Sequence, residues 1–170
     1  MAQPRLNLKN VVALLADRDR FTRGLVAQML RGFGVETVLI AKDGEEAKSL
    51  LAKNMPDICF FEGAFPDMTV EELTRWIRGQ QNSPLRFVPV IVLSGYSQLR
   101  MISSARDAGV HIVVRKPVAP QTLFDRILWV GKSNRAFLDA GSYVGPDRRF
   151  HAEPPPDGKK KRADDLALTQ

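Results

Sequence analysis

Charged and hydroxyl side chains stand at the ends of four apolar runs in this sequence. Glu62 closes one such run and is followed by glycine and by a loop that contains proline. Because open α/β sheets bind ligands at the carboxyl ends of their strands, we expect these side chains to converge on one crevice. The set comprises an acid pair with an arginine, a central carboxylate, a hydroxyl and a lysine: Asp17, Arg18, Asp19, Glu62, Ser94 and Lys116.

Helical patterns separate the apolar runs. Apolar residues recur at helical spacing after each run, and glycine or proline closes most of the connections. Each predicted strand is apolar throughout, which is typical of a parallel sheet covered by helices on both faces. The sequence therefore predicts one α/β domain, a doubly wound five-stranded parallel sheet, over residues 10–132. The predicted strands span 11–16, 35–40, 58–62, 88–93 and 110–114, and the predicted helices span 21–31, 43–51, 70–78, 98–108 and 120–130.

The residues outside this domain are predicted to be mostly irregular. Residues 1–9 form a flexible lead-in, and Phe137 and Leu138 are expected to end the last helix or a short extension of it. A tail segment, 133–151, contains a glycine–proline turn. The remaining residues, 152–170, hold three consecutive prolines and few apolar side chains, so we expect them to be disordered.

The composition limits the classes of function. With 44% hydrophobic and 26% charged residues, the chain of 170 residues is typical of a globular protein. No stretch approaches the roughly 20 apolar residues that a membrane helix needs. The polar N terminus lacks the apolar core of a secretory signal. Cys59, the single cysteine, lies in an apolar run, so we expect a buried thiol and a cytoplasmic protein.

The net charge of +6 permits an anionic partner but does not select one. Basic residues are spread over the chain, apart from the run Lys159–Arg162. Nothing else resembles a recognition helix or a stacking platform, so nucleic acid is not the expected partner. No nucleophile–base pair indicates an enzyme, because His111 flanks a predicted strand and His151 lies in the tail.

The spacing around Glu62 resembles the third-strand signature of response-regulator receiver domains, with Pro56-Asp57 before the run and Pro66-Asp67-Met68 after it. Ser94 and the pair Lys116-Pro117 are similar to that family's fourth and fifth strand ends. The resemblance covers the whole five-strand unit. It implies phosphoryl transfer from a histidine kinase to an aspartate, with Mg²⁺ held by carboxylates and with the lysine and the hydroxyl contacting the phosphoryl oxygens.

The sequence departs from the family pattern at three positions. Glu62 stands in place of the acceptor aspartate, and its added methylene spoils the geometry of in-line transfer. Arg18 replaces one acid of the first-strand pair, and its guanidinium competes with a divalent cation for the remaining carboxylates, while Asp19 is already entering the first helix. Val113 stands where the fifth strand usually carries an aromatic residue. We therefore predict a pseudo-receiver with no catalytic residues and with neither Mg²⁺ nor another metal.

Two interpretations of the altered pocket stay open. In one, Glu62 lies near Lys116, Arg18 and Ser94 and imitates a charged acceptor; in the other, it merely fills a pocket that has drifted. An ordinary phosphorelay receiver with an altered acceptor site is the alternative to both. The resemblance also implies docking of a protein partner through the fourth helix, fifth strand and fifth helix. That face would carry Arg100, Arg106, Arg115 and Arg126 together with Leu99 and Met101.

The segment from Tyr143 to Phe150 is a candidate nucleotide site. Arginine binds guanine O6 and N7 in a bidentate manner and stacks on bases, aspartate accepts from guanine N–H groups, and aromatic rings stack. The segment resembles the arginine-rich C-terminal part of the Cle proteins, CheY-like receivers that bind cyclic di-GMP and act on the flagellar motor. That resemblance implies cyclic di-GMP as ligand and motility control as setting. The candidate residues are Tyr143, Asp147, Arg148, Arg149 and Phe150.

Two other interpretations of this segment stay open as well. It could dock a partner without any nucleotide, or it could be an exposed charged turn around Gly145, Pro146 and Asp147. It could also be purely structural, with Tyr143 and Phe150 packed back on the domain.

Overall fold

The computed structural model describes residues 7–95, 98–133 and 135–148. Within these residues, five strands of one sheet alternate with five α-helices, and a short hairpin follows the last helix. The elements are β1 (Val12–Ala16), α1 (Arg20–Gly32), β2 (Thr37–Ala41), α2 (Gly44–Asn54), β3 (Ile58–Glu62), α3 (Val70–Arg78), a 3₁₀ turn (Pro84–Phe87), β4 (Val90–Ser94), α4 (Leu99–Asp107), β5 (Ile112–Arg115), α5 (Pro120–Lys132), β6 (Phe137–Asp139) and β7 (Val144–Pro146).

The five strands of the large sheet are all parallel and follow the order β2-β1-β3-β4-β5. The direction of winding reverses between β1 and β3, so their carboxyl ends open a crevice between the loops that follow them. Ser94 at the end of β4 pairs in register with Arg115 at the end of β5. The predicted doubly wound α/β domain is confirmed.

The alternation of side chains along the strands divides the core into two layers. Cys59 and Phe61 of β3 pack with residues of α2 and α3, whereas Phe60 packs on the other face with residues of α1 and α5. All three are fully buried. Burying a large apolar side chain stabilises the fold by roughly 1.5–3 kcal/mol, so the packing of helices on both faces stabilises the sheet. Leu8, which we expected in the flexible lead-in, is buried in the second layer, so that expectation was wrong at this residue.

The hairpin of β6 and β7 corrects the expectation for Phe137 and Leu138. Helix α5 ends at Lys132, and both residues lie in β6, which pairs antiparallel with β7. The ring of Phe137 meets that of Phe87 edge-on at 4.9 Å, and Leu138 is buried. Two apolar residues are too few to show a helical period, and their long-range contacts decided the conformation instead.

Arg78 connects the hairpin to the main domain. Its guanidinium is buried at the end of α3 and donates to the carbonyl oxygens of Gly109, Arg86 and Val88 at 2.6–3.1 Å. The same group lies 5.2 Å from the centre of the Phe137 ring. A buried cation needs such hydrogen bonds to offset its lost hydration, so this end of the sheet is fixed by one side chain.

The hairpin also approaches the main domain through glycine. A Cβ atom on Gly145 would lie 2.6 Å from the Cα of Gly109 and 2.6 Å from the hydroxyl oxygen of Tyr143. Gly109 itself has a φ of +102°, a conformation that other residues rarely adopt. The two glycines therefore allow the backbones of β7 and of the α4–β5 connection to touch.

We predict that Gly145→Ala destabilises the protein by about 1–3 kcal/mol, because the added methyl group has no space. Gly24→Ala is the matched control, since a Cβ at this position of α1 meets nothing within 4 Å. The control is expected to stabilise the protein by about 0.5–1 kcal/mol. Equilibrium unfolding in urea measures both values, and equal stability of Gly145→Ala and wild type would contradict the close packing of the hairpin.

Candidate functional site

The predicted site residues lie at the carboxyl edge of the sheet. Asp17 follows β1, Glu62 ends β3, Ser94 ends β4 and Lys116 follows β5. The backbone N–H of Lys116 donates to the carbonyl oxygen of Ser94 at 2.8 Å, which aligns the last two strand ends. The crevice that the sequence predicted therefore contains all four of these residues, and Arg18 joins them from the loop after β1.

Asp17 and Lys116 form the inner ion pair of the site. The Lys116 ammonium lies 2.6 Å from Oδ2 of Asp17, whose side chain is only 1% exposed. The other oxygen of Asp17, Oδ1, accepts from the backbone N–H of Asp19 at 2.8 Å. Both carboxylate oxygens of Asp17 are thus engaged within the protein.

Glu62 and Arg18 form the outer ion pair. Oε2 of Glu62 accepts from the backbone N–H of Arg18 at 2.9 Å, and Oε1 lies 3.1 Å from Nε of the same residue. We expected Glu62 near Lys116, Arg18 and Ser94. Its direct partner is Arg18, whereas Lys116 acts on it only through its charge. The hydroxyl of Ser94 faces the neighbouring residue, Gly63, where an added Cβ would lie 2.8 Å from Oγ.

The surroundings disfavour the charged form of Glu62. Burial raises the pKa of this carboxyl above its ordinary value, and the negative charge of Asp17 raises it further. The hydrogen bond from the Arg18 N–H and the charges of Lys116 and Arg18 act in the opposite direction without cancelling the effect. Glu62 is therefore held in place at an electrostatic cost.

The third acid of the set, Asp19, has a structural task. Its carboxylate caps α1 by accepting from the backbone N–H of Thr22 at 2.6 Å, and this contact lowers the pKa of Asp19. The expectation that Asp19 already belongs to the start of the helix is consistent with this position.

Arg23 was missed by the sequence reasoning. Its Nη1 donates to the carbonyl oxygens of Asp17 at 2.6 Å and of Arg18 at 3.1 Å. It holds the backbone of the loop that presents both of those residues. One signal was available, because Arg23 lies about one helical turn after the cap and can reach back to the preceding loop.

The donor set does not fit the Mg²⁺ that the resemblance implies. Mg²⁺ needs several oxygen ligands, usually from carboxylates. Here Asp17 is occupied by Lys116 and a backbone N–H, Glu62 by Arg18, and Asp19 by the helix cap. Within the described ranges, no group of three or more His, Cys, Asp or Glu side chains is arranged to hold a metal ion.

Among the tail residues, Tyr143 is buried, whereas Asp147 and Arg148 are partly exposed. Tyr143 is 6% exposed, and its hydroxyl donates to the carbonyl oxygen of Pro146 at 2.6 Å. The guanidinium of Arg148 lies 4.2 Å from the centre of the Tyr143 ring and 2.5 Å from Oδ1 of Asp107 on α4. Tyr143 was predicted to stack on a ligand; its ring is buried and covered by Arg148, and stacking on a ligand stays a prediction.

The other residues of the predicted ligand set are either partly exposed or outside the described residues. Asp147 and Arg148 are partly exposed, and the carbonyl oxygen of Asp147 accepts from Nε and Nη2 of Arg135 at 2.9 Å and 2.6 Å. Arg149 and Phe150 lie outside the described residues, as does the predicted disordered segment 152–170. Asp107, the partner of Arg148, gave no signal in the sequence, because the contact spans 41 positions.

The face formed by α4, β5 and α5 carries exposed arginines and an exposed apolar side chain, Leu99. Leu99 is 82% exposed at the start of α4, and Met101 is half-buried. Val113, at the position that the sequence reasoning singled out, packs partly buried against the first core layer. All four arginines predicted for this face are exposed: Arg100, Arg106, Arg115 and Arg126. Among the helices of the described residues, none is long and apolar enough to span a membrane.

Comparisons with known proteins agree with this architecture. The family model of the response regulator receiver domain matches residues 13–128. The transcriptional regulatory protein PdtaR of Mycobacterium tuberculosis is 31% identical over 114 residues, which are 67% of this chain and 53% of PdtaR. This chain therefore spans about half the length of that relative.

Three further similarities cover nearly the whole of the other protein. The chemotaxis protein CheY-3 of Vibrio cholerae is 28% identical over 119 residues, 70% of this chain and 90% of CheY-3. The crystal structure of a response regulator from Chloroflexus aurantiacus is similar with a TM-score of 0.63 and 27% identity, covering 69% of this chain and 93% of that one. The chemotaxis protein CheY4 of Vibrio cholerae gives a TM-score of 0.65 at 25% identity, covering 71% and 98%.

The raised pKa of Glu62 predicts how stability depends on pH. Between the ordinary pKa of 4.5 and the raised value, the folded protein binds more protons than the unfolded chain. The free energy of unfolding therefore falls as the pH rises through this window, because deprotonation of Glu62 is less favourable in the folded protein than in the unfolded chain. Glu62→Gln removes the titration, so the variant should lack this fall and be at least as stable as wild type at neutral pH.

Urea unfolding at pH values from below 4.5 to neutrality measures the effect. Glu36→Gln is the control, because Glu36 is an exposed glutamate that pairs only with Lys9 at 3.6 Å among the described ion pairs. A wild-type curve parallel to that of Glu62→Gln over the whole range would contradict the assignment.

Proposed function

This chain belongs to the response regulator receiver domain family of two-component signalling, and from that premise we propose that it is an adaptor whose acceptor site takes no phosphoryl group. The observation that carries the proposal is the ion pair of Arg18 and Glu62. A guanidinium stays charged at any physiological pH, so Arg18 supplies a positive charge beside the central carboxylate without a metal ion. The cation of this site is thus the guanidinium of Arg18, which is part of the protein itself.

Three features of the site oppose phosphoryl transfer. The carboxylate of Glu62 is longer than that of an aspartate, and both of its oxygens face Arg18. Lys116, which would contact a phosphoryl group, is already paired with Asp17. A phosphoryl group placed beside Asp17 without a divalent cation would bring negative charges together at low exposure. Glu62 would then imitate a charged acceptor or simply fill the site, and neither role requires turnover or Mg²⁺.

The adaptor would act by docking a protein partner on the face formed by α4, β5 and α5. Four exposed arginines and the exposed Leu99 on this face favour a partner that offers acidic groups and an apolar contact. Motility control is the setting that we propose, and it is supported by the similarity to a protein named for chemotaxis. A cytoplasmic location is part of the proposal and is supported by the buried free thiol of Cys59.

Cyclic di-GMP is the controlling ligand in this proposal. Asp147 and Arg148 lie partly exposed at the end of the hairpin, and Arg149 follows them in sequence. An ion pair between partly exposed groups, like that of Arg148 with Asp107, contributes only about 0–1 kcal/mol, so a guanine could displace Asp107. Stacking would fall to the arginines and Phe150, because Tyr143 is buried. Docking without nucleotide is the alternative.

We expect wild-type protein incubated with acetyl phosphate and Mg²⁺ to gain no phosphoryl group, as measured by intact mass. The double variant Arg18→Asp/Glu62→Asp restores a second acid and the shorter acceptor, so it should gain one. Glu62→Asp alone keeps the guanidinium and should gain less than the double variant, which isolates the effect of Arg18. Phosphorylation of wild type on Glu62 would establish an ordinary phosphorelay receiver instead.

For the ligand, isothermal titration with cyclic di-GMP should give saturable binding by wild type. Arg148→Ala/Arg149→Ala should weaken it by about tenfold or more, because each bidentate arginine contact discriminates by roughly 1–3 kcal/mol. Arg115→Ala/Arg126→Ala makes the same change of charge on exposed arginines elsewhere and should bind like wild type. Equal heats from both double variants, or no heat from wild type, would refute the nucleotide role.

A further inference from the structure

A cleft separates the hairpin from the amino-terminal ends of β4 and β5. Its volume is about 430 Å³, within the range of roughly 300–1,000 Å³ that is typical of small-molecule sites. Pro89 and His111, which precede β4 and β5, line one side, and Arg135 and Phe137 line the other. The cleft thus lies at the opposite end of the sheet from Glu62 and has no part in the function proposed above.

Aromatic and aliphatic side chains form part of the cleft wall, although polar atoms make up more than half of its exposed lining. Phe87 and Phe137 meet edge-to-face, with ring centres 4.9 Å apart, and Val130 of α5 lines the wall as well. Such surfaces favour a flat apolar group, which can pack against ring faces and edges.

His111 supplies a hydrogen-bond donor to this cleft. Its Nδ1 accepts from the backbone N–H of Val90 at 3.2 Å, so in the neutral ring the proton is on Nε2. Burial, together with the charges of Arg78 and Arg135, lowers the pKa of His111 to about 3, so the ring stays neutral. Among the described residues, Nε2 has no hydrogen-bond partner.

The charge around the cleft is positive. Arg135 lines it, and Arg78 lies directly behind His111, 3.4 Å from Nδ1. The lining contains no carboxylate among the described residues. Of the acids on the hairpin, Asp139 is paired with Arg86 at 2.9 Å and Asp147 faces Arg135. Close to the cleft, Arg78, Arg86 and Arg135 therefore lie beside Asp139 and Asp147.

A buried donor near the cleft also has no acceptor among the described residues. The guanidinium of Arg86 lies over the Phe87 ring, and its buried Nε has no partner in the described part of the chain. A buried donor left without an acceptor costs about 1–3 kcal/mol. Ser133 adds a hydroxyl to the lining. Arg86 itself does not line the cleft, so a ligand with acceptor atoms and negative charge would be matched there by Nε2–H of His111 and by the charge of Arg135.

We propose that the cleft binds a small organic anion, a carboxylate carried on a flat apolar ring. The carboxylate accepts from Nε2–H of His111 and is attracted by the charge of Arg135. The ring packs against the wall of the cleft that Phe87 and Phe137 form together. This assignment concerns a site that is separate from both the altered acceptor pocket and the arginines of the tail.

Sodium benzoate is the probe that tests the proposal, titrated into the full-length ¹⁵N-labelled chain and followed by amide chemical shifts. Benzoate should shift the amides of His111, Arg135 and Phe137 in a saturable manner. Benzamide has the same shape without the charge, and acetate has the charge without the ring. Each should bind about tenfold more weakly or worse, a difference of about 1.4 kcal/mol.

Two variants of Arg135 test whether this residue supplies the positive charge that attracts the carboxylate. Arg135→Gln should abolish the preference for benzoate over benzamide, whereas Arg135→Lys should retain it. Arg126→Gln is the matched control, because it removes an exposed arginine of α5 outside the cleft lining and should bind benzoate like wild type. If Arg135→Gln loses the hairpin, the preference measured in Arg135→Lys decides the case.

The proposal is overturned by any of three results. One is an equal response to benzoate and benzamide in wild type. Another is the absence of shifts at the three cleft amides. The third is an equal loss of benzoate binding in Arg126→Gln and Arg135→Gln, which would indicate unspecific attraction to a basic protein.

Discussion

The site depends on one constraint, which is that the negative charges of two neighbouring carboxylates must be balanced by positive charges. Asp17 and Glu62 end adjacent strands, and the charge of Asp17 raises the pKa of Glu62. The family resemblance implies a divalent cation for this task. Here two side chains share it, because Lys116 pairs with Asp17 and Arg18 pairs with Glu62. A cation that is part of the chain cannot dissociate, so the charge balance of this site does not vary with metal concentration.

The loop after β1 shows how the fold supports that balance. Asp19 caps α1 with its carboxylate, and Arg23 reaches back from the first turns of the helix to two carbonyl oxygens of the loop. The backbone N–H of Arg18 is thereby presented to Glu62. The added methylene of Glu62 is consistent with this contact, since it carries the carboxylate out towards the loop. The change at the acceptor position and the change at Arg18 are therefore two parts of one interaction.

The sequence was informative wherever the structure follows from local pattern. Five apolar runs predicted five strands, and the rule that parallel strands present their ends at one edge brought the site residues together. Side-chain pairing was harder to predict, and Lys116 was associated with Glu62 although it pairs with Asp17. The hairpin was missed altogether, because Phe137 is held by Phe87 and Arg78, about fifty residues or more away in the chain, and no local period marks such contacts.

The motif from Tyr143 to Arg148 combines two of the interpretations that the sequence left open. Tyr143 and Gly145 pack against the domain, while Asp147 and Arg148 remain partly exposed. Both halves of the motif meet the same helix, since Gly145 touches the backbone just after α4 and Arg148 pairs with Asp107, its last residue. Leu99, the exposed apolar residue of the docking face, is the first residue of that helix. Under the proposed function, a ligand that draws Arg148 from Asp107 therefore acts on α4 directly, and no change at Glu62 is needed to reach the docking face.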